Sequence, residues 1–155
     1  EGLAAAPAGR LLIGFRNPVP DGLALVVPLR NPREVLRGAT PELGNPIQVG
    51  LGGLGIRDMI WAGGCCLVIG GPTSGKPQGR VFEWDGVSVT ARQVARVHGQ
   101  HFNPEALAVF DGLGTRRVLL LSDDGTRRID GCPCKELKNP AQRQFRAAWV
   151  ELALE

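Results

Sequence analysis

Short apolar segments separated by Gly, Pro, Asn and Asp recur along the whole chain. Apolar runs of this length bounded by turn-forming residues are typical of β-strands. They predict strands over residues 2–6, 10–15, 23–29, 47–51, 56–61, 65–69, 80–84, 93–97, 106–110, 117–121 and 145–152. Asn31 and Pro32 are typical of a helix cap and a first helical residue, so we predict a single helical turn over residues 33–36.

The C-terminal segment fits two structures. Phe145, Trp149 and Leu152 would form one apolar stripe of a helix over residues 142–155. Apolar and polar residues also alternate over residues 149–153, as in a strand. The repeat described next requires a strand at this place, so we favour a short helical turn followed by a strand.

An acidic residue, a short apolar strand, a turn and an aliphatic run follow one another three times, about 50 residues apart. The acidic residues are Glu1, Asp58 and Glu105. Four-stranded antiparallel units that repeat in this way are the blades of a β-propeller. The sequence therefore predicts a single all-β domain, a partial β-propeller of about three blades over residues 1–52, 53–102 and 103–155, the last without its outermost strand.

Three blades do not close a ring, because known propellers have about four to eight. We therefore expect the chain to be the C-terminal half of a longer propeller, or a half-ring that pairs with a second copy. The net charge is only +3 and no apolar run is long enough for a membrane span, so we expect neither nucleic-acid nor membrane partners.

The four cysteines are interpreted as reduced thiols. Cys65 and Cys66 are adjacent, and Cys132 and Cys134 are closer together than the usual C-x2-4-C spacing of structural zinc sites. Free thiols favour the cytoplasm slightly over the periplasm.

Candidate chemistry centres on the start of the first strand in each of the three repeats. In a propeller the first strands of the blades line the central channel. Glu1, Asp58 and Glu105 are predicted to converge there, with Arg16 and Arg57 as counter-charges and ligand-binding groups. Clustered carboxylates bind divalent cations such as calcium, and a bound cation supports metal-assisted hydrolysis. The alternative is that each carboxylate only caps backbone amides at a strand turn.

Residues further from the strand starts give two more predictions. Asp123 and Asp124 are candidate metal ligands, although Asp-Asp-Gly-Thr is equally typical of a plain turn. Leu3, Ile60 and Leu107 lie two residues after the three carboxylates and are expected to pack between blades.

Two other motifs are interpreted as structural. Residues 70–76 match the phosphate-binding pattern G-x-x-x-x-G-K, but Pro77 stands where that motif needs Ser or Thr, so we exclude nucleotide binding. His98 and His101 have no serine elbow or cysteine partner near them in the sequence and are interpreted as turn residues.

Several strings are spread over nearly the whole chain: LLIGFRNP at 11–18, ALVVPL at 24–29, LGGLGIRD at 51–58, GGP at 70–72, NPEAL at 103–107, LLSDDG at 120–125, CK at 134–135 and FRAAWV at 145–150. Together they resemble a bacterial family catalogued as domain of unknown function 3616. This resemblance implies a propeller-like fold and no established activity. The opening EGLA is also similar to a motif of the esterase-like phytase propellers.

These observations lead to two functional hypotheses. The first is a ligand- or protein-binding module that uses the mouth of the channel and binds a small ligand or a protein segment. The alternative is a metal-assisted phosphoester or ester hydrolase of the phytase-like type.

Overall fold

The computed structural model describes residues 1–74, 79–96, 102–111 and 115–153. The strands in these ranges are β1 (Gly2–Ala5), β2 (Leu11–Gly14), β3 (Ala24–Leu29), β4 (Ile47–Val49), β5 (Gly55–Ala62), β6 (Cys65–Gly71), β7 (Arg80–Trp84), β8 (Arg92–Arg96), β9 (Pro104–Asp111), β10 (Thr115–Ser122), β11 (Arg128–Ile129), β12 (Cys132–Pro133) and β13 (Ala147–Ala153). One helical turn, α1, covers Pro32–Val35, and 3-10 turns cover Pro7–Gly9, Pro20–Gly22, Cys134–Glu136 and Pro140–Gln142. None of the helices in the described ranges is long and apolar enough to cross a membrane.

The strands form three antiparallel sheets and a small hairpin. The first sheet has the order β1-β2-β3-β4, the second β5-β6-β7-β8 and the third β13-β10-β9, while β11 pairs with β12. The predicted all-β class is confirmed. The C-terminal segment is a short turn followed by strand β13, so the helix alternative is wrong. The β11–β12 hairpin was not predicted, because two-residue strands carry no apolar pattern.

The three sheets pack face to face in chain order. One apolar cluster joins the first and second sheets through residues such as Leu12, Val26 and Val68. A second cluster joins the second and third sheets through residues such as Leu67 and Leu120. The first strands are neighbours in space, since β5 contacts both β1 and β9.

We call the face of each sheet that points toward the preceding sheet its leading face, and the opposite face its trailing face. The trailing face of the first sheet is the face that packs on the leading face of the second sheet. The trailing face of the second sheet packs in the same way on the leading face of the third. The two outer faces are therefore the leading face of the first sheet and the trailing face of the third.

Glycines allow the first two sheets to approach closely. A Cβ atom on Gly2 or Gly14 would lie 2.8 Å from the Ile56 side chain, closer than side-chain atoms can pack. A Cβ on Gly55 would lie 2.0 Å from the backbone oxygen of Arg16. The backbone amide of Ile56 also donates to the carbonyl oxygen of Phe15 at 3.0 Å, which joins the two sheets directly.

Two expectations from the sequence are corrected here. The side chain of Asn31 does not cap α1 but bonds Thr40 and Glu42 instead. Leu3 is 57% exposed, because it lies on the leading face of the first sheet, which no other sheet in the described part of the chain covers. Leu107 is buried between the second and third sheets, and Ile60 packs against the same cluster, as expected.

Replacement of a fully buried side chain between the sheets should destabilise the fold strongly. Leu12 has no exposed surface, so we expect Leu12→Ala to lower the free energy of unfolding by about 2–5 kcal/mol through lost burial and a residual cavity. Leu36→Ala is the matched control, since Leu36 is 89% exposed, and it should change stability by about 0.5 kcal/mol or less. Urea denaturation of both variants measures this, and equal effects would contradict the described packing.

Candidate functional site

The first strands of the second and third sheets each contain one unpaired residue near their start. In β5, Ile56 lies opposite Gly70 and Asp58 lies opposite Ile69, so Arg57 has no partner. In β9, Pro104 lies opposite Ser122 and Ala106 opposite Leu121, which leaves Glu105 unpaired. An extra residue of this kind is a β-bulge, and it redirects the side chain at the end of a strand.

The bulges bring Arg57 and Glu105 to the same end of the stacked sheets as Glu1. The backbone nitrogen of Glu1 donates to the Gly14 carbonyl oxygen at 2.7 Å, so Glu1 continues the pairing of β1 with β2. The sequence repeat aligned Asp58 with Glu1 and Glu105. The strand pairing corrects that alignment by one residue, because Arg57 is the second-sheet residue that meets the two glutamates.

The guanidinium of Arg57 lies between two carboxylates. Its Nη1 donates to Oε1 of Glu105 and lies 3.9 Å from Oε2 of Glu1. Its Nη2 donates to the carbonyl oxygen of Pro72 at 2.7 Å. A Cβ on Gly71 would lie 2.8 Å from Nε of Arg57, so the glycine makes room for the side chain. Only 6% of the Arg57 side chain is exposed.

Two further residues complete the arrangement on its solvent side. Nη1 of Arg16 lies 3.3 Å from Oε1 of Glu1, and Nδ2 of Asn103 donates to Oε1 of Glu105 at 2.9 Å. We call Glu1, Arg16, Arg57, Asn103 and Glu105 the Arg57 cluster. It contains two carboxylates and two guanidinium groups, and the side chains of Glu1, Arg16 and Glu105 remain partly exposed. The cluster is therefore balanced in side-chain charge and open to solvent.

Asp58 has a different position from the one predicted. Its Oδ1 accepts from its neighbour's amide, Met59 N, at 2.9 Å, and its Oδ2 accepts from Leu107 N in the third sheet at 2.8 Å. Burial raises the pKa of Asp58, and the two amide hydrogen bonds oppose that rise. Asp58 thus caps backbone amides and joins β5 to β9, the role that the sequence left open as an alternative.

Asp124 holds the C-terminal segment against the third sheet. Its Oδ1 accepts from Ser122 Oγ at 3.0 Å and from Arg146 Nη2 at 2.7 Å, while its Oδ2 accepts from the backbone amide and Nε of Arg146 at 2.9 and 2.7 Å. The hydrogen bond from the Arg146 side chain is the main reason that the pKa of Asp124 lies below its usual value. A cation at Asp124 would have to displace these donors.

Asp123 forms the neighbouring turn. It is exposed, and its Oδ1 accepts from Gly125 N at 2.9 Å. Across residues 1–74, 79–96, 102–111 and 115–153, no group of three or more His, Cys, Asp or Glu residues is placed to hold a metal ion. Metal binding by Asp123 or Asp124 remains a prediction.

The cysteines have structural surroundings. All four are free, and burial raises the pKa of Cys66 to about 12, which keeps it as a thiol at neutral pH. Sγ of Cys134 accepts from Gln144 N at 3.2 Å. His98, His101 and residues 75–78 of the motif that resembles a phosphate-binding loop lie outside the described residues, so those interpretations stay predictions.

The sequence did not identify Asn103 or Arg146 as partners of charged residues. Asn103 appeared only within the string NPEAL at 103–107, and its spacing of two residues from Glu105 gives no functional signal. Arg146 lies 22 residues from Asp124 along the chain, so their contact depends on how β13 docks on β10.

An open cleft of about 410 Å³ lies at the opposite end of the second sheet. Cys65, Trp84 and Arg92 are among the residues that line it, and none of the residues predicted to form a site does so. Trp84 donates from Nε1 to the carbonyl oxygen of Ser88 at 2.7 Å, which fixes the turn on one side of the cleft. The cleft therefore gives no support to the predicted chemistry.

Comparison with known proteins identifies a family. The sequence model of the family described as "Protein of unknown function (DUF3616)" matches residues 1–124, so the chain belongs to this family. No curated protein and no solved structure shows a significant match to the chain.

Loss of the Asp124 carboxylate should cost stability in a way that depends on pH. Because the pKa of Asp124 is lowered in the fold, its contribution is fully present above the unfolded value of about 3.9 and is lost as pH falls through the lower folded value. We expect Asp124→Asn to lower the free energy of unfolding at pH 7 by about 2–4 kcal/mol, less than for a fully buried pair, since Arg146 is partly exposed.

Asp123→Asn is the matched control, because the adjacent carboxylate is exposed and bonds only its own turn. Urea denaturation between pH 3 and pH 7 would compare the two variants with the unmodified chain. Equal losses in both variants, or an Asp124→Asn loss that persists unchanged at the lowest pH, would contradict the proposed anchoring role.

Proposed function

We propose that this member of the family is a binding module that holds a small ligand or a protein segment at the Arg57 cluster. The observation that carries the proposal is the position of Arg57 between Glu1 and Glu105, at an end of the molecule where three first strands meet. Ligand sites orient their ligands with a small number of convergent polar groups, and here charged side chains from three separate sheets converge on one partly exposed place.

We also propose that the three sheets are blades of a partial β-propeller over residues 1–52, 53–102 and 103–155. Face-to-face packing of antiparallel sheets in chain order and contact between successive first strands both support this arrangement. The Arg57 cluster would then lie at the mouth of the channel, which is where the sequence hypothesis put the site.

The charges of the cluster indicate what kind of ligand it would bind. Arg57 is nearly buried and is paired with Glu105. Arg16 is paired with Glu1 at 3.3 Å but is about one third exposed, so Arg16 is the guanidinium that an anionic group would reach. Glu1 is about half exposed and offers carboxylate oxygens to a donor or cation. A ligand that carries a carboxylate or phosphate beside an amine fits this arrangement, as does a peptide segment with both charges.

The hydrolase alternative remains a prediction. It requires a divalent cation at Glu1 and Glu105, but Arg57 lies between these carboxylates and offsets the negative charge that such a cation needs. Calorimetric titration with calcium and manganese tests the alternative: tight binding that is lost in Glu105→Ala would favour the hydrolase over the binding module.

The binding proposal predicts a specific loss on substitution of Arg16. A thermal-shift panel of amino acids, aminophosphonates and charged tripeptides would identify a ligand, and calorimetry would then measure its Kd. We expect Arg16→Gln to raise that Kd about tenfold or more, because a hydrogen bond to a charged group contributes about 1.5–3 kcal/mol.

Arg37→Gln provides the control, since Arg37 is exposed near α1 and outside the cluster. It should leave the Kd unchanged. The proposal is wrong if no compound in the panel binds, or if Arg16→Gln and Arg37→Gln bind the identified ligand equally well.

A further inference from the structure

Two arginines lie directly opposite each other on the last two strands of the second sheet. Arg80 begins β7 and pairs with Arg96 at the end of β8. Side chains of directly opposed residues stand on the same face of a sheet, with Cβ atoms about 4.5–5.5 Å apart. Like charges in this relation destabilise the pairing of the strands, so this place has a concentrated positive charge that needs compensation.

The described part of the chain does not supply that compensation. Across residues 1–74, 79–96, 102–111 and 115–153, the side chains of Arg80 and Arg96 form no ion pair and no hydrogen bond. The same two strands show the contrast three to four residues away, where Glu83 lies opposite Arg92 and the two side chains form an ion pair. One arginine of β8 therefore faces a carboxylate, while the other faces a second arginine.

The fold holds the Arg80 guanidinium in place on one side. Arg80 shares the leading face of the second sheet with Phe82, two residues further along β7, which packs between the first and second sheets. A Cβ on Gly52 would lie 3.2 Å from Nη1 of Arg80, so the guanidinium lies against the backbone between β4 and β5. Arg80 remains partly exposed and Arg96 is exposed, so an anion in solution can reach both.

We propose that Arg80 and Arg96 form an anion site that binds a phosphate group. Each guanidinium carries one positive charge, and a phosphate group carries about −1.5 to −2 at neutral pH, so one phosphate compensates both arginines. A single carboxylate compensates only one of them. The planar fork of a guanidinium also matches two phosphate oxygens at once, which adds paired hydrogen bonds to the attraction of the charges.

This site is separate from the Arg57 cluster. Arg80 lies opposite Gly70, and Gly70 lies opposite Ile56 in β5, so β6 stands between the strand that carries Arg57 and the strand that carries Arg80. No residue of the Arg57 cluster takes part in the phosphate site. The test below changes only residues of β7 and β8, so its failure leaves the proposed binding module untouched, and the reverse also holds.

Calorimetric titration with inorganic phosphate, at constant ionic strength set with chloride, gives the first test. We expect one phosphate per chain, and we expect Arg80→Gln and Arg96→Gln each to raise the Kd about tenfold or more, because each removes one charged donor fork. Arg92→Gln is the matched control. It removes the same charge from the same strand as Arg96→Gln, but Arg92 pairs with Glu83, so the Kd should stay unchanged.

Thermal unfolding separates a ligand site from a merely structural role. Without phosphate, Arg96→Gln should keep or raise the Tm of the unmodified chain, because it removes the repulsion between opposed like charges. Phosphate should then raise the Tm of the unmodified chain and of Arg92→Gln, but not that of Arg96→Gln. Equal phosphate-dependent shifts in all three would show only the general stabilising effect of this salt and would overturn the proposal.

A parallel titration with glycerol phosphate distinguishes free from esterified phosphate. A lower Kd for the ester would assign the site to an organic phosphate, and a lower Kd for inorganic phosphate would assign it to the free ion. The proposal is wrong if neither compound binds at millimolar concentration, or if Arg96→Gln binds them as tightly as the unmodified chain does. If Arg80→Gln unfolds, Arg96→Gln still decides, since Arg96 is exposed at the end of β8.

Discussion

The unpaired residue Arg57 in strand β5 is the constraint on which the candidate site depends. Ile56 and Met59 both face the first sheet although they are three residues apart, which regular strand alternation does not allow. The extra residue between them makes this possible and turns Arg57 toward the end of the sheets. It also directs Asp58 toward the third sheet, where its carboxylate accepts the amide of Leu107.

The pairing of charges at this end of the molecule follows from the burial of Arg57. A guanidinium as buried as that of Arg57 needs an anionic partner, because an unpaired buried charge is strongly destabilising. Glu105 provides this partner from the corresponding bulge in β9, and Glu1 lies further away on the exposed side. One part of the cluster therefore supports the fold, while the side chains of Glu1 and Arg16 remain partly exposed.

Much of the fold could be predicted from the sequence, because turn residues and alternating apolar positions mark most strands. Strand β13 could be chosen over a helix because the repeat required it. The bulges could not be predicted, since one extra residue leaves no local signature, and the repeat therefore aligned Asp58 where Arg57 lies. Contacts between segments that are far apart in the chain, such as the contact of Arg146 with Asp124, could not be predicted from the sequence either. The exposure of Leu3 depends on which sheet faces are covered, and no local pattern records that.

A double-mutant cycle between Arg57 and Glu105 tests most directly whether the two bulges bring these side chains together. The cycle compares Arg57→Met, Glu105→Gln and the double variant by urea denaturation. If the pair meets as described, the two losses of stability are not additive, and the coupling energy is about 1 kcal/mol or more. Additive losses, with a coupling energy within about 0.3–0.5 kcal/mol of zero, would show that the side chains do not interact and would contradict the candidate site.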